Sequence, residues 1–397
     1  MEIELITSSE ILDIRDGTHD SPKYVNDGYP LITSKNLKNG KICLEDVSYI
    51  TQEDYININK RSKVDLGDIL YSMIGSIGNY AIVTEVPSFA IKNVALFKFK
   101  DERLYNRYFY FLLNSPFVEN QIKSQQKGGT QKFVTLKILR NLKIPLPPLD
   151  IQKKIGAILD EADKLRQLDK KLIEKYNALT QSLFLDMFGD TWTNPKGWDI
   201  KLVEELASNE KHSIKAGPFG SSLKKEFYVE KGYKVYGQEQ VIKDDLSFGD
   251  YYIDEAKYQS LKNCRVKAGD VLISLVGTYG KISVVPEEYE EGIINPRLMK
   301  ISPNQDLIRP DFLKMLLRSS GVLLQTKNKS RGGTMDIVNV GIMRKIKVPL
   351  PPLELQNQFA VRVQTIEAQK ELAQQELDKA NDLFNSLLQK AFKGELV

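Results

Sequence analysis

The sequence predicts an α+β protein built as an internal repeat: two similar globular units separated by two long antiparallel helices that form a coiled coil, with pseudo-twofold symmetry. Three observations carry that prediction. Lys143-Ile-Pro-Leu-Pro-Pro-Leu-Asp-Ile-Gln152 recurs as Lys347-Val-Pro-Leu-Pro-Pro-Leu-Glu-Leu-Gln356, an offset of 204 residues. Shorter motifs keep nearly the same offset: Tyr24-Val-Asn-Asp-Gly-Tyr29 with Tyr228-Val-Glu-Lys-Gly-Tyr233, Gly67-Asp-Ile-Leu with Gly269-Asp-Val-Leu, and Gly128-Gly-Thr130 with Gly332-Gly-Thr334. Behind each proline stretch lies a run of roughly 40 residues with helical spacing and no proline, stopping near Gly189 or Gly394.

Taken in order, the chain reads as a globular unit over 1–146, a helix over 147–189, a second globular unit over 190–349 and a second helix over 350–397. In each globular unit a Gly-bounded apolar run, 68–73 or 270–276, reads as a strand. Residues 81–85 and 282–285 read as their hairpin partners, turning at Gly75-Ser-Ile-Gly78 and Gly277-Thr-Tyr-Gly280. Residues 89–100 and 293–301 read as one further strand each, followed by a helix over 104–113 or 310–324. Many short strands with few helices point to a curved antiparallel sheet in each unit.

The prolines force an extended lead-in, because proline fixes φ and lacks the backbone N–H that a helix interior needs. The helices behind them carry heptads. In the second, Phe359, Val363, Ile366, Ala373, Leu377, Ala380, Phe384, Leu387 and Ala391 alternate steps of four and three, broken by Lys370. In the first, Ile151, Ile155, Ile158, Ala162, Leu165, Leu172, Tyr176, Leu179 and Leu183 do the same, broken by Asp169. Helix one leads from the first globular unit to the second, and helix two leads back. The simpler alternative is two amphipathic helices, each lying on its own unit.

Composition sets limits on function. The chain has 397 residues, a net charge of +4, two cysteines and two histidines. Cys43 and Cys264 stand far apart, which fits a reducing cytoplasm and argues against a disulfide framework. No signal pattern and no apolar run of membrane-spanning length is present. With so few His and Cys residues, no metal site is expected. No phosphate-binding Gly-x-x-x-x-Gly-Lys-Ser/Thr occurs, and no cofactor is expected. An Asn-Pro-Pro-aromatic motif, which an amino-methyltransferase would carry, is missing; Asn194-Pro195-Lys196 and Asn295-Pro296-Arg297 do not match it. Glu255-Ala-Lys257 has the spacing of a nuclease fragment, but its repeat counterpart at 53–55 lacks the lysine, so a solvated face is the simpler reading. His19 has no histidine counterpart in the second repeat and reads as a loop side chain rather than a catalyst. No catalytic residue is assigned.

What the sequence does place is basic charge. Lys123, Lys127, Lys132, Lys137, Arg140 and Lys143 flank one Gly-Gly-Thr segment with no acid between them; Lys327, Lys329, Arg331, Arg344, Lys345 and Lys347 flank the other, against Asp336 alone. Lysine neutralises phosphate and glycine lets backbone N–H groups approach it. Candidate phosphate contacts are therefore Lys127, Gly128, Gly129, Thr130 and Lys132, and Lys329, Arg331, Gly332, Gly333 and Thr334. Polar Gly-rich loops near the front of each unit supply residue types that read base edges. These are Thr18, His19, Lys23, Ser34, Lys35 and Asn36 in the first unit, and Ser221, Ser222, Lys224, Tyr236, Gln238 and Gln240 in the second. The scaffolds agree between repeats while these loops differ, as two readers of different short sequences require.

Asp16-Gly-Thr-His19 with Ser-Pro-Lys-Tyr24, Gly217-Pro-Phe-Gly-Ser221, the paired Gly-Asp-Ile/Val-Leu strands and both Pro-Leu-Pro-Pro-Leu stretches, duplicated and in order, resemble the specificity subunits of type I restriction–modification systems. The resemblance covers nearly the whole chain. It implies two target-recognition domains, each reading one half of a bipartite double-stranded DNA target; by analogy with other two-fold readers, the half-sites are expected about one helical turn apart. It also implies paired helices that act as a ruler and dock two modification (methyltransferase) subunits, restriction (endonuclease/translocase) subunits joining that core, and no chemistry in the chain itself. One departure is that the first recognition domain begins almost at residue 1, leaving little N-terminal helical segment. Two readings from other classes stay open on the residues alone: a single-chain nuclease or methyltransferase, and a coiled-coil scaffold that binds only proteins.

Overall fold

In a computed structural model, the structure describes residues 4–125, 133–275, 280–329 and 339–396, with 327–329 as backbone only. The chain packs as two compact units, Met1–Lys171 with Ala373–Val397 and Leu172–Leu372. No helix among the described residues is long and apolar enough to cross a membrane.

Each unit holds the same pair of four-stranded sheets. In the first unit, one sheet runs Asp13–Asp16, Val94–Lys98, Ile69–Ser72, Tyr80–Ile82, all antiparallel. The other runs Ala90–Ile91, Tyr29–Ile32, Ser48–Ile50, Tyr24–Val25, and its first pair is parallel. In the second unit the equivalents are Ile214–Ala216, Leu298–Ile301, Val271–Ser274, Ile282–Val284 and Gly292–Ile294, Tyr233–Tyr236, Tyr252–Ile253, Tyr228–Val229.

The single antiparallel sheet expected from the sequence is therefore corrected to two four-stranded sheets per unit, beside shorter two-stranded pairs. The cause lies within one apolar run. Residues 89–100 are not one strand: Asn93 takes a left-handed conformation (φ 56°), so Ala90–Ile91 joins one sheet and Val94–Lys98 the other. Residues 293–301 also divide, but without a left-handed residue; there the Asn295 side chain accepts from the backbone N–H of Arg297 at 2.9 Å. The helix expected over 310–324 also breaks, into Pro310–Leu317 and Ser320–Lys329. The Ser319 hydroxyl donates to the Leu316 carbonyl (2.6 Å), a local bond that competes with helix continuation.

The long helices are Leu149–Phe188 and Leu353–Lys393. In the first unit, Ile155, Leu159 and Ala162 share a core with Phe384, Leu388 and Ala391, and the Arg166 guanidinium lies 4.1 Å from the Phe384 ring centroid. In the second unit, Phe184 and Phe188 pack on Phe312 and Phe359, with ring centroids 4.7–5.8 Å apart. Each unit thus joins the early part of one helix to the late part of the other, so the two helices run antiparallel. The seam keeps the expected Ile155 and Ala162, and on the second helix Phe359, Ala373, Leu377, Phe384 and Ala391, but departs elsewhere on the first helix. Leu159, not Ile158, is buried, while Leu165, Leu172 and Leu179 face solvent. The first helix carries two apolar stripes, both at seven-residue spacing, and periodicity alone does not choose between them.

Both proline motifs end in a buried glutamine. Gln152 Oε1 accepts from the N–H of Tyr105 (2.8 Å), and its Nε2 donates to the carbonyls of Arg103 (2.7 Å) and Pro147 (2.8 Å). Gln356 repeats the set with Arg309, Leu307 and Pro351 at 3.0, 3.1 and 2.9 Å. The prolines leave carbonyls without helical partners, and the glutamine ties them to the start of the neighbouring helix.

Candidate nucleic-acid interface

In the first unit, several strand ends meet at one edge. Gly17 N–H donates to the Val94 carbonyl (2.9 Å), Thr18 N–H to Ile91 (3.0 Å) and Lys92 N–H to Ile32 (2.9 Å). Ile74 bridges Phe133, and Val134 N–H donates to the Met73 carbonyl (2.9 Å). This edge gathers the loop after Asp16, the turn at 92–93, the Ser34–Asn36 turn and the residue that follows the segment 126–132. A side chain at Gly17 would collide with the Ile91 carbonyl, so a residue larger than glycine cannot occupy this crossing.

The second unit builds the same edge. Gly217 N–H donates to the Leu298 carbonyl (2.9 Å), Asn295 N–H to Tyr236 (2.8 Å) and Leu275 N–H to Arg297 (2.9 Å). A side chain at Gly217 would meet the carbonyl of Asn295. The loops after Ala216, Tyr236 and Ile294 therefore lie together.

The sequence-derived residues distribute unevenly over these edges. His19, Lys23, Lys35, Ser221 and Lys224 are exposed, and Thr18, Ser34, Ser222 and Gln238 are half-buried. Lys23 is held by its backbone N–H, which donates to Asp54 (2.9 Å) on the helix Gln52–Ser62. Gln238 Nε2 donates to the Ser274 hydroxyl at 2.8 Å. Three of the residues are turned inward. Asn36 is buried: its Oδ1 accepts from the Thr33 N–H (2.9 Å) and its Nδ2 donates to the Cys43 carbonyl (3.1 Å). Gln240 is buried, and its Oε1 accepts from the Gly237 N–H (3.0 Å). Tyr236 is buried, and its hydroxyl donates to the Glu290 carbonyl (2.6 Å). These three hold their loops and do not reach outward. Lys127, Gly128, Gly129, Thr130, Lys132, Arg331, Gly332, Gly333, Thr334 and the side chain of Lys329 lie outside the described residues.

Comparison with known proteins shows the family of the chain. The family profile described as the type I restriction modification DNA specificity domain matches residues 2–178 and 195–382. The chain belongs to the family of type I restriction–modification specificity subunits. It is 24% identical to the MjaVIII specificity subunit of Methanocaldococcus jannaschii over 91% of this chain and 85% of the relative. It is also 24% identical to the EcoBI specificity subunit of Escherichia coli, over 93% and 80%. A chain from a solved structure concerned with complex assembly and conformational transition of the type I R-M system aligns over 100% of both chains, with a TM-score of 0.58 and 18% identity. The S subunit from M. genitalium aligns over 98% and 96%, with a TM-score of 0.52 and 16% identity. At these identities the solved structures bear on the fold alone. The role of this specificity subunit is DNA target recognition in a type I restriction–modification system.

Some exposed residues at the two edges escaped the sequence reading. Arg61 comes from the end of a helix 45 residues beyond Asp16 and touches it only in three dimensions. Arg297 is exposed in the second-unit turn. Phe219, 89% exposed, follows the Gly217-Pro218 turn where His19 follows Gly17-Thr18 in the first unit. Phe219 stands in the Gly217-Pro-Phe-Gly-Ser221 motif, where an aromatic is not separated by sequence alone from a core residue.

Proposed function

We propose that the specificity subunit reads a bipartite duplex, one half-site at the loop edge of each unit, while the paired helices set the gap and dock two modification subunits. Restriction subunits join that core, and the chain turns over no substrate. The observation that carries the reading is one edge built twice on two shared backbone bonds, Gly17 to Val94 with Lys92 to Ile32 and Gly217 to Leu298 with Asn295 to Tyr236, with different outward residues: His19, Lys23 and Lys35 in one, Phe219, Ser221 and Lys224 in the other. Scaffold identity with loop divergence is what two different short targets require.

The outward stripe supports docking. Ile158, Leu165 and Leu168 in the first unit, and Leu172 and Leu179 in the second, are exposed apolar residues on a helix whose other face is already packed. Replacing Leu165 and Leu172 together with Asp is expected to weaken modification-subunit binding about tenfold or more, with a much smaller effect on the melting curve, because neither side chain is buried in a core. Size-exclusion chromatography of the mixed subunits measures this. A complex of normal stoichiometry and affinity rules out docking on that stripe.

Phosphate contact by the basic Gly-Gly-Thr segments is tested separately. The change Lys127→Ala with Lys132→Ala is expected to weaken binding of the assembled complex to all duplexes alike, and to reduce the log K against log salt slope by about 1–2. An unchanged slope excludes that role. Turnover of DNA by the purified chain alone, with magnesium and a methyl donor, would overturn the non-catalytic reading.

A further inference from the structure

At the loop edge of the first unit, a carboxylate that is nearly buried holds two exposed cations drawn from different elements. The Asp16 side chain is 10% exposed, on the last residue of the strand Asp13–Asp16. One of its oxygens accepts from Arg61 Nη2, at the end of the helix Gln52–Ser62; the other meets His19 Nε2 at 2.9 Å. The second imidazole nitrogen, Nδ1, lies 2.8 Å from Asn93 Oδ1, on the left-handed turn between the two sheets. Both cations remain open: Arg61 is 69% and His19 57% exposed.

We propose that Asp16 is a positioning residue that aims Arg61 and His19 together at the half-site bound by the first unit, with Arg61 reading a guanine edge. The inference rests on the DNA-reading assignment above and goes beyond it by naming the reader. Arginine is suited to the role because its planar fork matches the O6 and N7 acceptors of guanine. The carboxylate takes a hydrogen bond from one guanidinium nitrogen. Holding the side chain in place beforehand removes rotamers it would otherwise lose on binding. A purely structural ion pair accounts poorly for the arrangement: an exposed pair contributes little to stability, yet here the carboxylate sits in the sheet edge while both cations stay more than half exposed. The second unit offers an internal contrast. Ala216 and Phe219 stand where Asp16 and His19 stand, so no such pair is built there.

His19 gives the arrangement a pH signature. The Asn93 amide oxygen and the Asp16 carboxylate favour its protonated form, raising its pKa above the usual imidazole value, while nearby Arg61 opposes them. DNA is an anion and favours the protonated ring further. Affinity at this half-site is therefore full at low pH and falls as pH rises through the raised His19 pKa, above about 6.5.

The test uses the full chain with its modification partner in cells, with methylated motifs mapped by sequencing, and binding titrations of the same complex. Arg61→Ala is expected to make one position of one half-site degenerate and to reduce discrimination there by roughly ten- to hundredfold, leaving the other half-site intact. Arg61→Lys keeps the charge, loses the fork and does not restore specificity. Asp16→Asn reproduces the Arg61→Ala pattern, and His19→Gln removes the fall in affinity as pH rises above the ordinary imidazole range. Because Arg61 and His19 are exposed, their variants fold even if the Asp16 variant does not. Uniform weakening across all sequences, an unchanged motif with Arg61→Ala, or a pH profile that His19→Gln leaves in place overturns the proposal. Absence of any split motif with the wild-type chain removes the parent reading as well; a split motif that Arg61→Ala leaves intact removes only this one.

Discussion

Replacing Asp270 with Ala is expected to destabilise the second unit by about 3–5 kcal/mol, among the largest single effects in the molecule. Asp270 is buried, and its carboxylate accepts from Lys300 Nζ at 3.0 Å and from the Lys267 N–H at 3.0 Å. Lys300 is itself buried, and its other contact is the Ser302 hydroxyl at 3.2 Å. Removing the carboxylate strands an ammonium in the sheet, where desolvation is not offset by a counter-charge. The first unit predicts the contrast. Asp68 meets Lys98 at 2.6 Å, but Lys98 also reaches the Asp65 carboxylate at 2.7 Å and the Lys63 carbonyl at 3.1 Å. Burial pushes the Asp68 carboxyl up, against the pull of Lys98. Asp68→Ala therefore leaves Lys98 partnered and is expected to cost about 1–3 kcal/mol. Urea unfolding of the two variants measures both. Equal losses would refute the contrast, and pairing Asp270→Ala with Lys300→Met is expected to recover most of the stability.

The second large effect comes from the glutamine at the foot of each proline stretch. Gln152→Ala and Gln356→Ala each remove three hydrogen bonds from a site with no solvent access. With buried donors and acceptors left unpaired, each is expected to lose about 2–4 kcal/mol. The two losses should match, because the two partner sets match. Hydrogen exchange at the Tyr105 and Arg309 amides reads the local effect. Protection that survives at either amide would contradict the role given to the glutamine.

The pattern that revealed the repeat also carried this glutamine, ten residues into each motif, but its work is tertiary and no local signal marks it. The two-unit plan, the long helices and the Gly-Asp strands were legible because period, proline and glycine act over a few residues. Other features were decided at longer range. Whether residues 89–100 form one strand or two depends on a single left-handed asparagine. Which apolar stripe of the central helix is covered depends on Phe384 and Phe359, about two hundred residues away. Asn36 and Gln240 have the chemistry of base readers, yet each is consumed by a turn of its own loop. Arg61, by contrast, carries no motif and is recruited only by Asp16 across the sheet edge.

Methylation mapping by sequencing, in a host carrying this chain with its modification subunit, tests the central claim most directly. The account predicts a split motif: two short specified blocks separated by a constant number of unspecified bases. A continuous motif, or two blocks whose separation varies from site to site, would contradict it.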